Sequence, residues 1–370
     1  MLDQLYVQPA VLARHRAAPC SAERERFLEH CAERGYNRNG LRKIAWMLLV
    51  IVSSLFVDQR TISVVEIERA ARRYVRTTRY GTRDHCRTTQ QLFVRIATAW
   101  IDFLGRLAPR TLPRPPFARQ LDMFERFMRE ERGLSGVTIG SRCQRVNRFL
   151  QALQPDVSSI REVTIRQIDH YLVQQSEHGW TRPSLGALAS DLRSFFRYAE
   201  AQHWCQAGIA AAIDSPRIYT DEGLPRGPDW EQVQALISST EGDDPVAIRD
   251  RAIVLLLSLY GLRRGEVARL QLEDIDWETG TLRVVRPKQR RVQEYPLVEI
   301  VGDALVRYLR EVRPRCAHRE VFLAMKAPLR PLSPQSITPI IRWRLAALGV
   351  QVARSGPHSL RHACAQHLLS

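Results

Sequence analysis

In GPHSLRHACAQHLLS, the stretch that runs to residue 370, His358 and Arg361 stand three residues apart. On a helix that spacing puts both side chains on one face, and Pro357 suits the first helical position, where its missing amide would have no partner anyway. A guanidinium fixed beside an imidazole at the positive end of a helix can hold a phosphate group. The structural alternative is a capping or core histidine. The i, i+4 pair His358/His362, with His367 beyond it, has chelating spacing. The HExxH glutamate and a clear further ligand are missing, so no metal site is expected.

A second cluster is YGLRRGEVARL at 260–270. Arg263 follows a glycine in a turn between two helices, where packing on both sides holds the backbone while the side chain reaches out. Glu266, three residues on, is placed to brace a guanidinium from inside the second helix. A purely structural Arg–Glu pair is the alternative for these two residues.

The elements that must position these groups follow from periodicity. The run IRDRAIVLLLSLYGLRRGEVARLQLEDIDW reads as helix, turn, helix, with a stop at Gly261 and with Val267, Leu270 and Leu272 inward. TGTLRVVRPKQRRVQEYPLV at 279–298 alternates about a Pro-Lys-Gln-Arg turn, the signature of a hairpin with a basic tip. On the last helix, Leu360, Cys364 and Leu368 form the face opposite His358 and Arg361. Two Pro/Arg-rich joints, LAPRTLPRPPFARQ and DSPRIYTDEGLPRGPDW, interrupt helix and mark boundaries. Three blocks result: 1–110, 117–212 and 225–370. The expected fold class is mainly α with a small antiparallel β-sheet.

In the second block, FARQLDMFERFMREERG, SRCQRVNRFLQAL, TIRQIDHYLVQQS and SLGALASDLRSFFRYAEAQHW each carry apolar residues at helical spacing and arginines on the other faces. Four such helices suit a clamp on duplex DNA. The first block resembles the second. RGYNRNGLRKIAWMLLVIVSSL from Arg34 and RGLSGVTIGSRCQRVNRFLQAL from Arg132 match at a period of about 98 residues, as in a duplicated helical module.

Composition narrows the partners. There are 55 Lys and Arg against 39 Asp and Glu in 370 residues, a formal charge of +16. Such an excess favours polyanions, nucleic acid before an anionic membrane surface, and the dominance of arginine favours phosphate contact. Seven scattered cysteines without a CxxC pair fit a reducing cytoplasm. The apolar run IAWMLLVIVSSLFV at 44–57 falls short of the roughly 18 residues of a membrane span, so it is read as a core helix.

The order GLRRGE, basic hairpin, HSLRH resembles the catalytic domain of the tyrosine recombinase (phage integrase) family. The resemblance covers about 117–370, with 117–212 as a SAM-like core-binding domain and 225–370 as the catalytic domain; the role of 1–110 stays open. It implies that Arg263 and Arg361 are the two catalytic arginines, that Lys288 at the hairpin tip is the general acid, and that His358 assists phosphate binding and proton handling. Arg290 and Arg291 flank Lys288, but a guanidinium is too weak an acid to donate readily. Glu266 is expected to brace Arg263.

The implied reaction is strand cleavage and rejoining of double-stranded DNA at recombination sites through a 3′-phosphotyrosine, without metal or cofactor. It is carried out by protomers assembled as a tetramer on DNA, in the cytoplasm and away from membranes. In the family the nucleophilic tyrosine lies a few dozen residues past the position matching Arg361. Here the last tyrosine is Tyr308, in the apolar phase of DALVRYLREV, and it is read as core. The sequence as given is therefore expected to hold the phosphate clamp but no nucleophile. The alternative reading is a catalytically inactive DNA-binding protein that occupies recombination sites or partners an intact recombinase.

Overall fold

The structure is a computed structural model that describes residues 1–55, 57, 60–77, 83–109, 117–153, 157–217, 227–286, 291–352 and 355–369. The chain divides into two units, one made of Met1–Pro109 with Leu224–Ser370, the other of Arg110–Gly223. Both Pro/Arg-rich joints lie partly outside the described residues.

Residues 1–109 form α1 (Leu2–Leu5), α2 (Pro9–Ala17), α3 (Ser21–Glu33), α4 (Arg38–Ser54), α5 (Val64–Thr77) and α6 (Arg83–Phe103). Helix α4 starts at Asn37, whose side chain accepts from the Gly40 amide at 2.8 Å and satisfies one of the free donors of the first turn. Leu41, Ile44, Ala45, Leu48 and Ile51 then recur at helical spacing and are buried. They meet Ile67, Ala70 and Ala71 of α5 and Phe93, Ala97 and Trp100 of α6 in one core. The apolar run at 44–57 thus contributes to this core, and no described helix is long and apolar enough to cross a membrane.

The turn after α3 reaches the other part of its unit. The Leu329 amide donates to the Arg34 carbonyl at 2.9 Å. Gly35 has φ +82°, and a Cβ there would come within 2.6 Å of the Leu329 side chain. Only glycine meets both demands.

The second unit contains α7 (Ala118–Glu130), α8 (Gly136–Ala152), α9 (Ile165–Glu177), α10 (Arg182–Ala201) and α11 (Ile209–Ala212). Phe124, Phe149, Phe195 and Phe196 are fully buried at its centre. Phe124 and Phe195 meet edge to face, with ring centroids 5.3 Å apart. Helices α8 and α10 are tied by Asp191, which pairs with Arg142 at 2.8 Å and with Arg145. Those two arginines come from SRCQRVNRFLQAL, where they were expected on the outer surface; they are engaged with a buried carboxylate instead. Helices α4 and α8 are both 17 residues long and both start at a side-chain cap, Asn37 in one and Ser135 in the other. Their caps fall at the period of about 98 residues seen in the sequence.

Residues 227–369 form α12 (Trp230–Ser238), α13 (Pro245–Leu259), α14 (Arg264–Arg269), β1 (Ile275–Asp276), β2 (Thr281–Arg286), β3 (Arg291–Pro296), α15 (Glu299–Arg307), α16 (Pro334–Ala347) and α17 (Pro357–Leu369). Helix α13 is buried almost all round, from Ile248 to Ser258, which makes it the axis about which the other helices pack. The three strands run β1-β2-β3, all antiparallel, with Ile275 opposite Leu282 and Leu282 opposite Tyr295. Alternation turns Leu282 and Val284 inward. The hairpin closes at Arg286 opposite Arg291, and its tip, 287–290, lies outside the described residues.

Candidate phosphate-binding site

The site is built around the turn between α13 and α14. Leu259 ends α13, and Gly261 then adopts φ +57°, a left-handed conformation that reverses the chain without a Cβ penalty. Arg263, two residues later, caps α14 with extended backbone. Its amide donates to Glu266 Oε2 at 2.8 Å and its Nη1 donates to Glu266 Oε1 at 2.9 Å. One carboxylate therefore fixes both the main chain and the side chain of Arg263. The Glu266 side chain is 2% exposed and that of Arg263 40%, so the anion is sealed in while the guanidinium faces solvent. Among the described residues, Nε and Nη2 of Arg263 have no acceptor.

Arg361 arrives from 100 residues away. It lies on α17, whose Leu360, Ala363 and Cys364 are buried in or beside the core. Its Nη1 donates to the Gly261 carbonyl, and the Cys364 thiol reaches the Leu259 carbonyl at 3.5 Å. The same turn thus carries Arg263 and anchors Arg361. A Cβ on Gly261 would meet Cys364 Sγ at 3.4 Å and Arg361 Cγ at 3.7 Å. Gly261→Ala is expected to lower stability by about 1–2 kcal/mol, the cost of an L-residue in left-handed backbone. Urea unfolding monitored by circular dichroism measures it.

His358 is exposed one turn before Arg361. Its Nε2 lies 3.0 Å from His362 Nε2, with the rings near perpendicular. At that separation one ring nitrogen donates and the other accepts. The described residues contain no group of three or more His, Cys, Asp or Glu placed to hold a metal ion. Lys288 lies outside the described residues. The base of its hairpin, however, is tied to the site: the Tyr260 hydroxyl donates to the Pro296 carbonyl at 2.8 Å and accepts from the Val298 amide at 2.9 Å. Tyr260 therefore joins the end of α13 to the exit of β3, a contact that its sequence position beside Gly261 hints at but does not specify.

Helix α17 is held from a second side. Gly227 approaches so closely that a Cβ would lie 2.6 Å from the Ser359 carbonyl, and Trp230 stacks on His367 with ring centroids 3.8 Å apart. Leu368 and Leu369 are 76% and 88% exposed, so Leu368 does not join Leu360 and Cys364 on a buried face as its spacing suggested.

Of the tyrosines near this domain's core, Tyr308 is fully buried, its hydroxyl accepts from the Leu323 amide at 3.2 Å, and burial pushes its pKa up. Burial likewise raises Tyr260 and the Cys364 thiol. None of these three is poised as a nucleophile. What the described geometry offers is two arginines held at one turn, Arg263 through Glu266 and Arg361 through the Gly261 carbonyl.

The model of the Phage integrase family matches residues 229–370, and that of the Phage integrase N-terminal SAM-like domain matches residues 121–203. The Sinorhizobium fredii protein named "Putative integrase/recombinase y4rA" is 34% identical over 253 residues, 68% of this chain and 61% of that protein. A second Sinorhizobium fredii protein, "Putative integrase/recombinase y4gC", is 42% identical over 141 residues, 38% of this chain and 72% of that protein. Among solved structures, a lambda integrase dimer bound to a COC′ core site superposes with a TM-score of 0.52 at 18% identity, covering 67% of this chain and 84% of that one. At that identity the likeness speaks to the fold.

Proposed function

The chain belongs to the phage integrase family of tyrosine recombinases, and from that premise we propose that it binds double-stranded DNA at recombination sites and grips the scissile phosphate between Arg263 and Arg361. The single observation that carries this reading is the shared turn: Glu266 holds Arg263 by two hydrogen bonds, and Gly261, two residues earlier, holds Arg361. Charge would develop on the non-bridging oxygens as a tyrosine oxygen attacks, and two preorganised guanidinium groups meet it without reorganising. The attack forms the 3′-phosphotyrosine bond and breaks the bond to the 5′-oxygen. Lys288 at the hairpin tip delivers the proton that the 5′-oxygen needs as it leaves. His358 supports the phosphate from the start of α17. The reverse attack by a 5′-hydroxyl of the partner strand reseals the backbone and releases the tyrosine. Between Arg361 and Ser370 the sequence holds no tyrosine.

The lambda integrase complex holds two protomers on DNA, which supports DNA and further protomers as partners of this chain. Four protomers on two sites complete an exchange of both strands. Residues 117–212 and 225–370 act as the two halves that contact the duplex.

Binding is expected to be steeply salt-dependent, because each neutralised phosphate releases counterions and contributes about 0.9 to the slope of log K against log salt. A titration of labelled duplex at several salt concentrations checks it. Six or more phosphate contacts would give a loss of about 10³-fold or more between 50 and 200 mM salt, whereas an affinity that hardly moved would remove DNA as the partner.

A further inference from the structure

We propose that residues 1–109 carry a separate DNA-backbone site, an arginine trough between the C-terminal turn of α4 and one face of α5, distinct from the site of Arg263 and Arg361. The inference rests on the reading of this chain as a DNA-binding recombinase and extends it to the block for which the family motifs assign nothing.

Helix α5 has two faces. Ile67, Ala70 and Ala71 are buried in the local core. Arg69, Arg72, Arg73 and Arg76 recur at i, i+3, i+4 and i+7, which is one continuous stripe, and all four are exposed. The stripe borders a cavity of about 1030 Å³ whose other wall is the end of α4 and the turn before α3. Arg60 adds a fifth guanidinium, and Glu66 is the one acidic residue among the described residues of the lining.

That carboxylate is already committed. Its oxygens accept from the Ser63 amide at 2.9 Å, from the Ser63 hydroxyl at 3.1 Å and from Arg60 at 2.9 Å, and these bonds, led by the Ser63 amide, hold its pKa low. Arg72 lies 3.5 Å from the Glu68 carboxylate, an exposed pair of the kind that contributes little, and its Nε donates to the Glu68 carbonyl at 3.4 Å. Arg69, Arg73 and Arg76 have no acidic partner among the described residues.

A solvated helix face normally intersperses charges of both signs. Among the described residues, five guanidinium groups line this trough against one carboxylate, itself paired with Arg60, so the trough carries net positive charge and is open to an extended polyanion. From Arg69 to Arg76 the helix rises about 10.5 Å at roughly 1.5 Å per residue. A DNA strand advances about 3.4 Å per phosphate along the duplex axis, so the stripe matches about three successive phosphates. Among the described residues the lining holds no aromatic side chain for stacking a base, which favours backbone contact with duplex over single-stranded DNA.

The test uses the full chain. One variant carries Arg69→Ala, Arg73→Ala and Arg76→Ala. A charge control carries Arg14→Ala, Arg310→Ala and Arg315→Ala, three exposed arginines away from the trough. A third carries lysine at 69, 73 and 76. Duplex affinity is measured for each as a function of salt. The trough variant is expected to lose about 2–3 from the magnitude of the salt slope, at about 0.9 per phosphate contact. The control should lose less than one, and the lysine variant should stay near wild type, which also shows that the helix remains folded. An unchanged slope in the trough variant, or an equal loss in the control, overturns the proposal while leaving the DNA-binding reading intact. A wild-type chain without affinity for duplex DNA would overturn both.

Discussion

Replacing Arg361 by alanine is expected to slow DNA strand cleavage by about 10³ to 10⁵-fold, the range seen when an arginine that meets transition-state charge is removed from a phosphoryl-transfer site. The measurement is single-turnover formation of the covalent adduct on a nicked suicide duplex. It is made with residues 1–370 fused to the tyrosine-bearing segment of an intact recombinase. Arg263→Ala should cost a similar amount, since its donors face the same phosphate under the proposal. The double variant should be little slower than either single one, because groups that act as a unit lose their effect together. Arg361→Lys should recover only part of the rate. An ammonium keeps the charge but cannot bond Gly261 with one nitrogen and a phosphate with the others in one planar fork. Ground-state DNA affinity should change far less than the rate.

Asp191→Ala is expected to destabilise the second unit by about 3 kcal/mol, because it leaves two guanidinium groups without the anion that both were folded around. Asp191 is buried between α8 and α10, where Arg142 also reaches the Ser194 hydroxyl at 3.1 Å and Arg145 the Ser141 hydroxyl at 2.8 Å. Arg142 and Arg145 retain partial access to water, which sets the figure at the low end for a broken buried pair. Asp191→Asn keeps the shape and one acceptor and should lose less. Thermal unfolding with and without duplex DNA reads both changes. A loss below about 0.5 kcal/mol in the alanine variant would put this cluster among surface ion pairs of small effect.

Much of the scaffold was legible because its signals are local. The apolar run before Tyr260, the stop at Gly261 and the inward Val267 are matters of adjacent residues. The alternation around 281–296 similarly announced β2 and β3. Strand β1 escaped because two residues are too short to show alternation; it exists only as the partner of β2. What escaped at the site is non-local. No spacing rule links Arg361 to the carbonyl of Gly261, or Arg142 and Arg145 to Asp191, since those contacts depend on how helices pack. Helical periodicity likewise placed Leu368 beside Leu360 and Cys364 but could not say that its side chain is exposed. The roles proposed for Arg263, Lys288 and His358 rest on resemblance to a family, because a guanidinium or an imidazole at a helix start serves structure as readily as chemistry.

The shared phosphate is the centre of the account, and a double-mutant cycle on DNA affinity tests it most directly. A duplex selected by the chain from a random pool is titrated with wild type, Arg263→Ala, Arg361→Ala and the double variant at one salt concentration. If both arginines hold one phosphate, the losses should be non-additive, with a coupling of about 0.5–3 kcal/mol. Losses that simply add, within about 0.3–0.5 kcal/mol, would mean that the two arginines serve separate contacts and that the clamp does not exist.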